Sequence, residues 1–353
     1  MAYQGLQNET PYAAELAMLA DESGRDLLVV LVKATYVITE AGQLQLSDEQ
    51  APVSLAGEYY GEAGKTSLKY APEASFAKLS TDIALIGDAC PPNGRVVKQL
   101  DVSLRVGAAS KDLRIFGDRF WVRSKGLMNT RWKMSDPQPF TSMPLIYERA
   151  FGGIDTSTEN EQDRISEPRN PVGAGIVAKK SKLEKVPLPN IEDPKQLIKT
   201  PQDRPQPAGF GFISPDWQPR QAYAGTYDKA WLDSRMPLLP QDFDRRFFNA
   251  AHTDLIGSGF LTGTEPVEII NASPRGHLKF NLPGDAPVIT VTMAYEDPLA
   301  VETQLDSVIF DTIDHTVHLL WRGSLDVYNR IYDLEKIETS INPENRYNSS
   351  ATA

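Results

Sequence analysis

Between Pro168 and Asp244, twelve of the chain's 26 prolines fall within 77 residues. Proline lacks an N–H donor and fixes φ, so neither a helix interior nor a central strand tolerates that density. The same stretch carries Phe210, Phe212, Trp217, Tyr223, Tyr227, Trp231 and Phe243. Disordered linkers are poor in aromatics. The segment is therefore expected to be ordered but irregular, and long loops of that kind concentrate function. It is not expected to stand alone, because the backbone entropy of ordering so long a stretch exceeds what seven buried aromatics return. It should lie against regular structure on both sides.

That regular structure reads as β. In LLVVLVKATYVIT, Leu27–Thr39, the residues Leu28, Val30, Val32, Ala34, Tyr36 and Ile38 alternate with Lys33, Thr35 and Thr39. Period two with β-branched residues marks a strand, and Gln43–Leu46 follows as its hairpin return. A further strand is expected over Ala77–Gly87. In Val96–Val106, Leu100, Val102, Leu104 and Val106 alternate with Gln99, Asp101, Ser103 and Arg105, and Asp112–Arg123 is expected to pair back on it. Residues 27–123 thus read as an antiparallel module with one packed face and one wet face. Beyond the centre, short helices are expected around Lys229–Ser234 and Asp242–Ala251. Hairpins follow over Pro266–Asn271 with His277–Leu282, and over Ser307–Asp311 with Thr316–Arg322, with a strand over Val288–Tyr295. Leu325–Ile341 fits either a helix or an edge strand.

The expected fold is mainly β: antiparallel, sandwich-like sheets at both ends, joined by the long proline- and aromatic-rich irregular segment with a few short helices. The divisions are an N-terminal segment 1–26, a β module 27–123, the irregular region 124–265, a second β region 266–325 and a tail 326–353, integrated as one domain.

Composition removes several function classes. The formal net charge is −11 and there is no basic run, which argues against nucleic acid or an anionic membrane as partner. The first 24 residues lack a basic start and a long apolar core, so no signal peptide is expected. No apolar run is long enough for a membrane span. Cys90 is the only cysteine, so no internal disulfide can form. A cytoplasmic location is the expectation. Oligomeric state has no signature.

No catalytic or metal constellation emerges, and no cofactor is expected. The GDACPPNG sequence around Cys90 offers a turn and no neighbouring histidine to activate a thiolate. Gly152-Gly153 permits positive φ but lacks the phosphate-loop pattern. Of four histidines, His315 and His318 take opposite parity in a strand reading and make a poor metal pair. His252 near Asp242, Asp244 and Asp254 has metal or acid–base potential, although carboxylates beside Arg245 and Arg246 more often form ion pairs. Asp216 and Asp233, beside Trp217 and Trp231, supply an alternative: carbohydrate binding or glycoside hydrolysis by paired carboxylates.

A set of motifs in fixed order carries a resemblance. These are NETPYAA, VKATYVI, TDIALIGDACPPNG, DLRIFGDRFW, MPLIYERAFGGID, NPVGAG, LPNIEDP, PAGFGFISPDWQPR, GTYDKAWLDSRMPLLPQDFD and FLTGTEPVEIINASPRG. Over roughly residues 8–325 the chain resembles the bacterial family of unknown-function domains numbered 2169. The resemblance implies a non-enzymatic adaptor or chaperone of type VI secretion. Such a protein would bind an effector or a PAAR-type tip protein and help load it onto the VgrG spike. The family supplies no catalytic residues to carry over. The residues favoured here for partner binding are Phe210, Phe212, Trp217 and Arg220, supported by Trp231, Asp242, Asp244 and Arg245. The competing reading makes the aromatics plain core.

Overall fold

The structure, a computed structural model, describes residues 5–125, 130–155, 160, 162, 164–178, 183–327 and 330–341. Its longest strand, Asp26–Ile38, is the alternating stretch noted above. Leu28, Val30, Val32, Ala34, Tyr36 and Ile38 all enter the main hydrophobic core. Ala13–Ala20 pairs with its first half and Leu44–Leu46 with its end. Along its other side runs Thr316–Asp326, from the opposite end of the chain. Thr303–Asp311 follows, and then Asp82–Ile86 closes the six-stranded sheet in a parallel pairing.

A five-stranded sheet faces the same core, in the order Ile191–Glu192, Ala109–Phe116, Gln99–Val106, Pro266–Ile270, His277–Asn281. Val102, Leu104, Val106, Leu113, Ile115, Val267 and Ile269 are among its buried side chains. The expected hairpin around Ser273–Gly276 is present, with Ile270 opposite His277. A four-stranded sheet, Leu6–Asn8, Leu334–Ile341, Pro287–Met293, Leu299–Val301, adds Ile289, Val291, Leu334 and Ile337 to that core. Of the ambiguous stretch Leu325–Ile341, the part Leu334–Ile341 is a strand, and it is an inner one with a neighbour on each side, not an edge. The mainly β expectation with a few short helices holds: Lys229–Ser234 is α-helical, and Arg245–Phe248 is a 3-10 turn inside the second expected helix.

Three local expectations change. The strands of 27–123 do not form one sheet. Asp26–Ile38 and Asp82–Ile86 lie in the six-stranded sheet, whereas Gln99–Val106 and Ala109–Phe116 lie in the five-stranded one. Trp121–Lys125 leaves to form a ribbon with Thr130–Met134. Nor is the second face of Asp26–Ile38 wet. Val29 and Leu31 pack with Leu320, Val53 and Ala74, and Lys33 is buried against Glu73 at 2.6 Å. The loop before Asp82 lies over that face, so residues of both parities are buried. Finally, His315 is not in the strand. It sits in the preceding turn with φ of 55°, so the parity argument applies to His318 alone.

The proline-rich segment packs as irregular chain against both larger sheets. Ile191–Glu192 adds to the free side of Ala109–Phe116. On the other sheet, the Leu85 amide donates to the Phe210 carbonyl at 3.0 Å, satisfying the outer side of Asp82–Ile86. The prolines are thus compatible with a role that protects sheet edges. Gly152 and Gly153 do adopt positive φ, 154° and 90°. A Cβ at either would meet the carbonyl oxygen of Asn170 or Gly173 at 2.1 and 2.3 Å. Close backbone packing, with no phosphate cradle, explains that pair.

Candidate functional site

Three of the four favoured partner residues lie inside the molecule. Phe210 and Trp217 belong to the main core, and Trp217 meets the Tyr147 ring edge-on at 5.7 Å. Phe212 packs with Leu68, Ala84, Ile86, Ala250 and Ile309 in a smaller cluster. They offer no side-chain surface to a partner or a sugar. Arg220 is also buried, yet it borders the surface. Its Nε donates to the Phe247 carbonyl at 2.9 Å and its Nη1 to that of Ile213, with the guanidinium over the Phe247 ring. Burial lowers its pKa to about 10, so it remains a cation at neutral pH. It lines a cleft of about 220 Å³ with Leu79, Ile213, Tyr223 and Ile256 as apolar walls.

From Arg220 the chain leaves the core as an excursion that returns near Arg245. Asp228 starts its longer helix, Lys229–Ser234, by accepting the Trp231 amide at 2.9 Å, an N-cap. The Trp231 ring packs edge-on against Tyr227 at 4.7 Å, and its indole N–H donates to the Leu238 carbonyl at 2.8 Å. Asp242 accepts from the Thr226 amide and hydroxyl, which lowers its pKa. Asp244 is held low by Arg246, whose guanidinium in turn lies over Tyr223. Arg245 pairs with Glu22 at 2.6 Å, and Arg235 donates to the Glu22 carbonyl at 3.0 Å. The excursion is thereby clamped to the turn between Ala13–Ala20 and Asp26–Ile38.

Among the charged and polar side chains that the clamped excursion presents outward, such as Lys229 and Asp233, stand three large apolar ones. Tyr227 is 53% exposed, Leu232 56% and Met236 60%. Behind them opens a cleft of about 360 Å³ lined by Thr226, Asp228, Trp231, Arg235, Leu238 and Asp242. The sequence reading singled out Trp231, Asp242, Asp244 and Arg245, which turn out to be the scaffold of this surface. It missed Leu232 and Met236. The signal available was the spacing of Tyr227, Trp231 and Leu232 behind a capping aspartate.

The other candidates separate. Asp233 pairs with Lys229 at 3.0 Å, while Asp242 and Asp244 have the partners named above, so each of these carboxylates is engaged locally. His252 is buried, accepts the Asp254 amide at its Nδ1, and is pushed down to about 4 mainly by burial. Asp254 instead joins Asp193 around the buried Lys111 at 2.8 and 2.7 Å. Among the described residues no group of three or more His, Cys, Asp or Glu is placed to hold a metal ion. No helix among them is long and apolar enough to cross a membrane. Burial raises the Cys90 thiol pKa, the opposite of nucleophile activation.

A family model of uncharacterized proteins conserved in bacteria, DUF2169, matches residues 23–322. The chain belongs to that family. The DUF2169 match spans the six-stranded sheet from Asp26–Ile38 to Arg322, the proline-rich centre and the excursion. It leaves out the strands Leu6–Asn8, Ala13–Ala20 and Leu334–Ile341. Comparison with curated proteins and with solved structures found no match.

Proposed function

We propose that this DUF2169 protein is a non-enzymatic adaptor of type VI secretion. It binds an effector or a PAAR-type tip protein and helps load it onto the VgrG spike. The observation that carries the binding part of this reading is the excursion at Tyr227–Met236: apolar side chains more than half exposed on a segment held by a helix cap and by Glu22. Exposed apolar patches on soluble proteins mark interaction sites. Tyr227, already ordered against Trp231, supplies binding energy at low entropic cost. The link to secretion rests on the motif resemblance alone.

Co-expression with a PAAR-type tip protein or effector encoded beside this gene tests the reading. The expected result is a stable complex that the double substitution Leu232→Asp, Met236→Asp abolishes while the unfolding midpoint stays unchanged. Failure to recover a complex with any such protein would refute the adaptor role. A complex indifferent to the double substitution would move the docking site elsewhere.

A further inference from the structure

The six-stranded sheet is treated unequally at its two edges. At Asp82–Ile86 the outer side is closed by Phe210 and by a bridge between Asp82 and Ile256. At Ala13–Ala20 no main-chain group closes it among the described residues. The direction of the backbone groups there follows from two observations. The Thr35 amide donates to the Gln50 side chain at 2.8 Å and its carbonyl accepts from Ser47. Thr35 and the other odd residues of Asp26–Ile38 therefore point towards the Ala13–Ala20 side. Since Lys33 lies opposite Ala13 and Val29 opposite Ala17, the odd residues of Ala13–Ala20 make the internal ladder. Ala14, Leu16, Met18 and Ala20 direct their N–H and C=O outward. The Leu16 amide agrees: its only acceptor is the neighbouring Glu15 carboxylate, at 3.3 Å. No other backbone group of these four residues has a main-chain partner outside its own ladder among the described residues. The open stretch has a defined start, because the Tyr12 carbonyl is taken by the Asn8 side chain at 2.7 Å.

The usual protections of a free edge are missing. AAELAMLA contains no proline and no lysine, and its register with Asp26–Lys33 runs without a bulge. Glu15 is its one charge.

We propose that Ala13–Ala20 is a pairing edge for a second copy of this chain, joined antiparallel across a two-fold axis through Ala17. Self-pairing must match outward residues with outward residues. The longest register that does so sets Ala14 opposite Ala20 and Leu16 opposite Met18 of the second copy. Ala17 then faces itself in a non-hydrogen-bonded position, where opposing side chains approach most closely and a methyl group fits. Glu15 falls opposite Leu19, so no like charges oppose each other. Residues of one parity also stay on one side. Ala14 and Leu16 pack on the main core, while Ala17 and Leu19 pack beneath Val53 and Ala74. The joined sheet would keep both faces as they are. Each chain carries a net charge of −11, which opposes association at long range. A strand pairing also buries less area than a standard interface. The dimer is accordingly weak, concentration-dependent and strengthened by salt. This surface is independent of the adaptor reading.

Sedimentation velocity of the full chain should show a monomer–dimer equilibrium that shifts to dimer as salt rises. Met18→Pro should remove the dimer and leave the unfolding midpoint unchanged, because the Met18 N–H lies outside the internal ladder. In a Cys90→Ser background, Ala17→Cys should cross-link between chains under mild oxidation, faster than Leu19→Cys. Should Met18→Pro fail to fold, Met18→Lys and the cross-linking comparison decide. A chain that stays monomeric at high salt and high concentration, with no preferential cross-link, would overturn the proposal. So would a dimer that survives Met18→Pro, or an edge found occupied by a foreign polypeptide on a monomeric chain.

Discussion

His318 lies between the hydroxyls of Thr35 and Thr316, at 3.2 and 3.3 Å, on the face of the sheet that also buries Lys33. Burial, and then the Lys33 charge, lower its pKa to about 4. Unfolded, it would bind a proton below about pH 6.5. Its contribution is therefore complete above about 6.5 and is lost as pH falls towards 4, on the order of 3 kcal/mol in all. His252 acts with the same sign for the same first cause. Denaturant unfolding at about pH 7 and about pH 4.5 should show a shallower loss of stability in His318→Asn than in the parent chain. Equal losses would show that His318 titrates normally. The aromatic residues divide on the same principle of burial. Trp217→Ala should destabilise the fold by roughly 3–5 kcal/mol, whereas Tyr227 is a surface residue.

At the scale of the element, the central strand Asp26–Ile38 shows how a charge can sit inside a β-layer. The Lys33 ammonium meets the Glu73 carboxylate at 2.6 Å and donates to the Pro52 carbonyl at 3.1 Å. The other Glu73 oxygen accepts from the Ser54 amide at 2.6 Å. One ion pair thus holds the loop before Asp82 over the strand's second face. Glu73→Ala should cost roughly 3–5 kcal/mol, because it leaves a buried ammonium without its counter-charge. Lys33→Met combined with Glu73→Leu should cost less than that single change. A Glu73→Ala chain as stable as the parent in urea would show the pair to be solvated. The alternation that identified this strand was legible because one parity is uniformly apolar. The burial of the other parity was not, since it depends on a loop that sequence periodicity does not describe.

At the scale of the molecule, the proline-rich centre is held by the sheets it covers. Ile191 lies opposite Ile115, Asp193 pairs with Lys111, and Phe210 and Trp217 fill the common core. A fragment spanning residues 165–245 should therefore show no cooperative thermal transition by circular dichroism. A sharp transition would make it a folding unit in its own right. The two ends of the chain likewise share sheets, with Thr316–Asp326 beside Asp26–Ile38 and Pro266–Ile270 beside Gln99–Val106.

Local alternation and turn chemistry are properties of short stretches. The sequence by itself determined the main strands, the hairpin at Ser273–Gly276, the helix at Lys229–Ser234 and the need for the proline-rich centre to pack against something else. Which strands pair, which edge is closed and which aromatics face inward are set by contacts between distant parts of the chain. Phe210 and Trp217 are core because they pack among the sheets' buried side chains; Tyr227 is exposed because the excursion holds it outside that core. The composition of the three positions is alike. Only tertiary packing, by removing water from some and not from others, separated the core of this protein from its candidate docking surface.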